Sequence, residues 1–218
     1  MGLMQDRARL VAAIIAIVAW AAIFGQLAIN LGAAPAKNIP MWRVPIDLYG
    51  YFTIWSNTLV ALVTTWFARG KGEAGLLGRP GTLGATVVYI VVVGVIYNTL
   101  LIQYNPQVGV RRLIDTIFHT VVPVTYTLWW LLLVPRGRLT WNALLPALIF
   151  PTVYSFWAMG KGAVTGKYAY FFIDVDKYGV QAVMLNIAGL ALLYAVLMAG
   201  VIAWDRRGAR GRVPDAAA

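Results

Sequence analysis

Residues 10–31 read LVAAIIAIVAWAAIFGQLAINL, from Leu10 to Leu31, without one charged side chain. A helix needs about 20 mostly apolar residues to cross the hydrocarbon core of a bilayer, and this run is long enough. It is also too long for the apolar core of a signal peptide, and no A-x-A cleavage pattern stands out nearby, so it reads as a retained span. Outward along the chain, five more stretches have the same character: 50–68, 82–103, 115–134, 139–159 and 180–204. The breaks between them have physical causes. Pro35, Pro40 and Pro45 stop helix continuation in the first connection. The run RGKGEAGLLGRPG from Arg69 to Gly81 is glycine-rich and charged, Asn105-Pro106 starts a turn, and Pro135-Arg-Gly-Arg turns tightly. Gly160, Gly162 and Gly166 fall in a polar-aromatic segment, 160–179, expected to be a flexible loop. The pattern predicts an all-α polytopic membrane protein, a bundle of six transmembrane helices in residues 1–204, followed by a basic cytoplasmic tail, 205–218, expected to be disordered.

Composition agrees. Of 218 residues, 61% are hydrophobic and 12% charged, where soluble domains carry about 25% charged residues. Without cysteine there is no disulfide, thiolate catalysis or thiolate metal site. One histidine and no cysteine also argue against zinc or haem, so neither metal nor cofactor is expected. No P-loop, G-x-S-x-G or H-E-x-x-H motif is present, and no internal repeat of the transporter kind. The net charge of +10 sits almost wholly in loops and tails, which points to membrane topology and anionic lipid rather than nucleic acid. With both termini inside, eleven Lys and Arg lie on the inner side and seven on the outer. The positive-inside rule therefore predicts cytoplasmic termini.

The polar residues then share one depth. Gln26 and Asn30, Thr53, Ser56 and Asn57, Asn98 and Gln103, Asp115, His119 and Thr120, Tyr154 and Ser155, and Gln181 and Asn186 all fall in the outer half, with Asp174 and Asp176 just before the last helix. Uncompensated polar groups are costly in hydrocarbon, so six segments agreeing in depth predict a polar chamber opening outward over an apolar floor. Interhelical hydrogen-bond glue is the plainer alternative. Thr53 and His119 lie roughly 5 and 6 Å into helices that enter from the same side. A hydroxyl beside an imidazole is the minimum for an activated nucleophile. Asp115, one turn before His119, is placed to orient the ring, with Asp174 as another acid at similar depth. Asn57 or Ser56 is expected to supply an oxyanion donor, and Ser56 is also a competing nucleophile. A lone membrane histidine is as often a structural hydrogen bond, and a membrane threonine usually bonds its own backbone.

Three segments carry a resemblance: Tyr51-Phe-Thr53-Ile-Trp-Ser-Asn57, Asp115-Thr-Ile-Phe-His119-Thr-Val-Val-Pro123, and Phe172-Ile-Asp174-Val followed by Gly179 and Asn186. Together they resemble the androgen-induced integral membrane proteins, which hydrolyse fatty-acid esters of hydroxy fatty acids. The likeness is greatest to the bacterial six-helix branch, implying a bacterial inner membrane. It implies a threonine nucleophile at Thr53 and a catalytic histidine at His119. The substrate would be a lipid ester entering from the outer leaflet, and Arg111, Arg112 or Lys161 would hold its free carboxylate. The rival expectation is a non-catalytic lipid-binding protein or small transporter. The inner halves look too apolar for a transport path, and a second polar chamber at the cytoplasmic end would favour that rival.

Overall fold

The computed structural model of the chain describes residues 2–104 and 106–210. All regular structure among them is helical. In chain order the principal helices are α1 (Gly2–Ala33), α2 (Phe52–Ala68), α3 (Pro80–Tyr104), α4 (Gly109–Leu133), α5 (Trp141–Thr165) and α6 (Val175–Arg210). All but α2 are long and apolar enough to cross a membrane. With 17 residues, α2 spans only about 25 Å.

Each helix buries a stripe and exposes apolar side chains on the other face. In α1, Ala8, Ala12, Ile15, Ala19, Ala22 and Ile23 recur at helical spacing and are buried, while Ile14, Ile17 and Phe24 are exposed. The small residues let α1 lie close along α2, its most extensive neighbour. Leu128 and Leu132 of α4, Phe156 of α5 and Leu185, Leu192 and Val196 of α6 are likewise exposed. Apolar surface of this extent is at home in lipid, not in water. The interior layer is packed by Val60, Val63, Ile90, Val122, Tyr126 and Trp129, each 1% exposed or less.

Tertiary hydrogen bonds fix the alternation of directions. Arg9 Nε donates to the Ala68 carbonyl and Trp129 Nε1 to that of Ala8, so the start of α1 meets the ends of α2 and α4. Tyr126 Oη donates to Leu83 O at 3.1 Å, pairing late α4 with early α3. The Leu139 amide donates to Asp205 Oδ2 at 2.8 Å, tying the start of α5 to the end of α6. Thus α1, α3 and α5 finish at one end, the upper end, where α2, α4 and α6 begin.

Several boundaries differ from the sequence reading. The α1 helix starts ahead of its apolar run. In α5 the helix continues through Gly160 and Gly162, expected to lie in a loop, and stops at Gly166 (φ 65°), whose amide bonds Gly162 O at 2.8 Å. Tyr168 packs against Gly162 where a β-carbon would overlap its ring, which accounts for that glycine without invoking flexibility. In α6 the backbone breaks at Gly179 (φ 77°), a conformation favouring glycine. At its other end α6 runs past residue 204 to Arg210, because Asp205 is buried on Leu139 and belongs to the bundle rather than to a tail. Residues 211–218 of the expected tail, and Asn105 of the expected turn, lie outside the described residues.

Candidate active site

A cleft of about 900 Å³ opens at the upper end, lined by side chains of α1 to α4, of the connections between α1 and α2 and between α5 and α6, and of the start of α6. Thr53, from the first turn of α2, and His119, from the third turn of α4, face it together. Thr53 Oγ1 lies 3.2 Å from His119 Nε2. His119 Nδ1 lies 2.9 Å from the Asp115 carbonyl and 3.1 Å from Asp115 Oδ1. Both neighbours of Nδ1 are acceptors, so Nδ1 carries the proton. Nε2 of the neutral ring is then left to accept from the Thr53 hydroxyl. The arrangement is a threonine–histidine–aspartate chain, with Asp115 in the orienting position expected of it.

Tyr97 completes the setting. Its ring stacks on the imidazole with centroids 3.5 Å apart and planes at 12°, and its hydroxyl donates to Asp115 Oδ2 at 2.6 Å. Asp115 thereby accepts from both partners, and His119 is clamped on a face and an edge. Tyr97 was not among the residues singled out from the sequence. The available signal was its position beside Asn98, at the depth of the other polar groups.

The backbone around His119 is unusual for a local reason. Pro123 has no N–H, so it cannot serve His119 O at i−4 or Phe118 O at i−5. Residues Ile117–Val121 form a π turn, a feature common at functional sites. Two side-chain amides take the freed carbonyls: Asn98 Nδ2 donates to His119 O at 2.9 Å, and Asn57 Nδ2 to Phe118 O at 3.3 Å. Opposite, α3 has its own π turn at Tyr97–Leu101, and Gly94 allows the close approach: a β-carbon there would lie 3.1 Å from His119 O and from Pro123.

The other expected site residues are distributed differently. Asn57 is buried, and its amide nitrogen donates to Thr53 O at 2.8 Å and to Phe118 O, so it is committed to holding helices rather than an oxyanion. Ser56 is fully buried and lines neither cavity that reaches Thr53, which removes it as nucleophile and oxyanion donor. Asp174 does not line the cleft; its Oδ1 accepts from the Lys177 amide at 3.0 Å and caps the start of α6. Asn186 Nδ2 donates to Phe172 O at 2.8 Å and pins the connection before α6. Of the three basic candidates, Arg111 lines the cleft and donates to Asn30 Oδ1 at 3.3 Å. Arg112 is exposed outside the cleft, and Lys161 does not line it but pairs with Asp47 at 3.2 Å, a carboxylate it shares with Arg43. Lys37 and Lys177, which the sequence reading did not single out, do line the cleft.

A narrow apolar crevice of about 80 Å³ reaches Thr53 but not His119, and is bordered by Val92, Ile96, Leu148, Ile187 and Leu190. Tyr170 and Leu101, like Thr53, border both spaces. At the opposite end of the bundle lies a cleft of about 1190 Å³, with Arg9, Glu73, Arg136, Arg138 and Asp205 in its wall. The sequence predicts an apolar floor at this end; the structure instead has a cleft there with charged residues in its wall. Loop residues make the difference: Glu73 pairs with Arg138, and Arg136 bonds Leu131 O at 2.6 Å. The packed layer of Val60, Val63, Val122, Tyr126 and Trp129 separates the two clefts.

Comparison with protein-family models, curated proteins and solved structures finds no match to this chain. The likeness to the androgen-induced proteins rests on its three segments alone.

Proposed function

We propose that the protein is an intramembrane lipid-ester hydrolase with Thr53 as nucleophile and His119 as general base. The observation that carries this reading is the 3.2 Å contact between Thr53 Oγ1 and His119 Nε2 in a cleft, with Nδ1 held on Asp115. His119 Nε2 takes the Thr53 proton as Oγ1 attacks the ester carbonyl. The tetrahedral intermediate collapses, its C–O bond to the alcohol breaks, and the imidazolium returns the proton to the leaving oxygen. Water, deprotonated by His119, then attacks the acyl-threonine and releases the fatty acid. Threonine is hindered, so positioning supplies much of the acceleration. Fatty-acid esters of hydroxy fatty acids fit the combination of an apolar crevice beside Thr53 and Arg111, Lys37 and Lys177 around the polar cleft.

The topology belongs to the same reading. The short α2 is the sixth span, its deficit of roughly 5 Å against a core of about 30 Å met by burial against α1 and by local thinning. Both termini face the cytoplasm of a bacterial inner membrane, and the dyad opens to the outer side.

The test is hydrolysis of a long-chain acyl ester by purified protein. Thr53→Ala and His119→Ala are each expected to remove most turnover, with the double variant little worse than either single because the pair acts as a unit. Equal turnover in Thr53→Ala and wild type rules out this nucleophile. A second reading, a small lipid transporter or carrier, is favoured by the cleft at the opposite end. It requires ester movement across proteoliposomes without hydrolysis, unaffected by Thr53→Ala.

A further inference from the structure

We propose that Tyr170 is the oxyanion donor of this site, its phenolic O–H donating to the oxygen that becomes negative as Thr53 attacks. The inference rests on the ester-hydrolysis reading and names a catalytic residue for it. A hydrolase of this kind needs a donor about 2.7–3.1 Å from the developing oxyanion. The two expected donors do not serve. Asn57 gives its N–H groups to Thr53 O and Phe118 O, and Ser56 is sealed away from both cavities.

Tyr170 comes from the connection between α5 and α6, yet its oxygen sits at the first turn of α2. It accepts the Phe52 amide at 3.1 Å, and it stands beside Thr53 in the walls of both cavities. The oxyanion is the oxygen borne by the carbon that Thr53 Oγ1 attacks, so a hydroxyl at the first turn of α2, beside Thr53, is within reach of it. Accepting a backbone N–H at the positive end of a helix polarises the phenol and strengthens its O–H as a donor. Burial raises its pKa, opposed by hydrogen bonds from the backbone N–H groups of Thr53 and Phe52, so the proton stays in place at neutral pH. The ring cannot swing freely: it stacks on Phe172 at 5.2 Å with planes at 5°, and meets Tyr51 edge-on at 6.2 Å. Tyr170 also borders both the polar cleft and the apolar crevice, at the point where an ester with one arm in each would place its carbonyl.

The same geometry gives work to residues that have none at the dyad. Asn186 holds Phe172 O and Asp174 caps α6, which together fix the short segment that carries Tyr170. They are positioning residues, two and more steps removed from the chemistry.

The experiment compares full-length wild type and Tyr170→Phe on a long-chain p-nitrophenyl ester. Two inhibitors accompany it: an alkyl trifluoromethyl ketone, which adds Thr53 to form a tetrahedral oxyanion, and the matching ether, which forms none. The expected result is a loss of about 10²–10³-fold in kcat with KM little changed, the scale of one oxyanion donor. The ketone should lose affinity by a similar factor and the ether should bind as before. Unchanged kcat in Tyr170→Phe overturns the proposal, as does an equal loss of ketone and ether affinity, which marks a purely structural role. The parent reading fails differently: wild type then neither turns over ester nor binds the ketone more tightly than the ether, and the Tyr170 assignment falls with it.

Discussion

Asp115 accepts hydrogen bonds from His119 and Tyr97 at once, and each bond makes a separate demand on the dyad. Asp115→Asn keeps the shape but presents an amide that can favour the wrong imidazole tautomer. Its kcat on the ester is expected to fall by about 10²-fold or more, within the range that acid–base groups contribute. Tyr97→Phe keeps the stacked ring and loses one bond to a charged group, worth about 1.5–3 kcal/mol, so a loss of ten-fold or somewhat more in kcat is expected. If Asp115→Asn hydrolyses ester as fast as wild type, the carboxylate has no part in orienting His119. The hydroxyl, imidazole and carboxylate were legible in the sequence because depth along a helix follows from residue count, and i−4 spacing from helical pitch. Ser56 and Asn57 were misjudged for a matching reason. Depth says nothing about which way a side chain faces, and the interior of α2 turns both away from the cleft. Tyr170 was illegible because it arrives from a connection whose path no periodicity predicts.

At the scale of the element, the π turn in α4 is where sequence and function meet most closely. Pro123 removes the donor that His119 O and Phe118 O would have used, and Asn98 and Asn57 replace it from neighbouring helices. The segment of α4 that carries His119 is thus held by α2 and α3 through its backbone carbonyls. Asn98→Leu leaves a carbonyl without that donor, at a cost of about 1–3 kcal/mol, and should lower the midpoint of thermal unfolding in detergent. Gly94→Val places bulk 3.1 Å from His119 O and Pro123. It should push α3 from α4 and reduce kcat by about 10²-fold, the effect of misplacing a reacting group by roughly 1 Å. Full activity in Gly94→Val would show that the close approach of α3 to α4 is not needed. The proline was visible in the sequence as a helix disturbance. Its consequence was not, since the identity of the replacement donors depends on which helices lie alongside. The extension of α5 past Gly162 shows the same limit: glycine reads as a breaker until Tyr168 is seen to fill the space beside it.

For the whole molecule, the apolar outer faces and buried alanine stripe make membrane residence the legible part, since hydropathy reports solvent directly. The cleft at the lower end was not legible, because its walls come largely from loops and termini rather than from helix interiors. Orientation is testable in a chain without cysteine. Cysteines introduced at Val108 and Lys167 should react with an impermeant maleimide from outside intact cells, and those at Lys71 and Leu76 should be protected. The reverse pattern would put the dyad on the cytoplasmic side. The central claim, that Thr53 is an acyl-accepting nucleophile, is tested most directly by treating purified protein with an alkyl fluorophosphonate and mapping the adduct by peptide mass spectrometry. The account predicts one adduct on Thr53, absent from Thr53→Ala and strongly reduced in His119→Ala; an unmodified Thr53 in wild type, or an adduct elsewhere that survives Thr53→Ala, would contradict it.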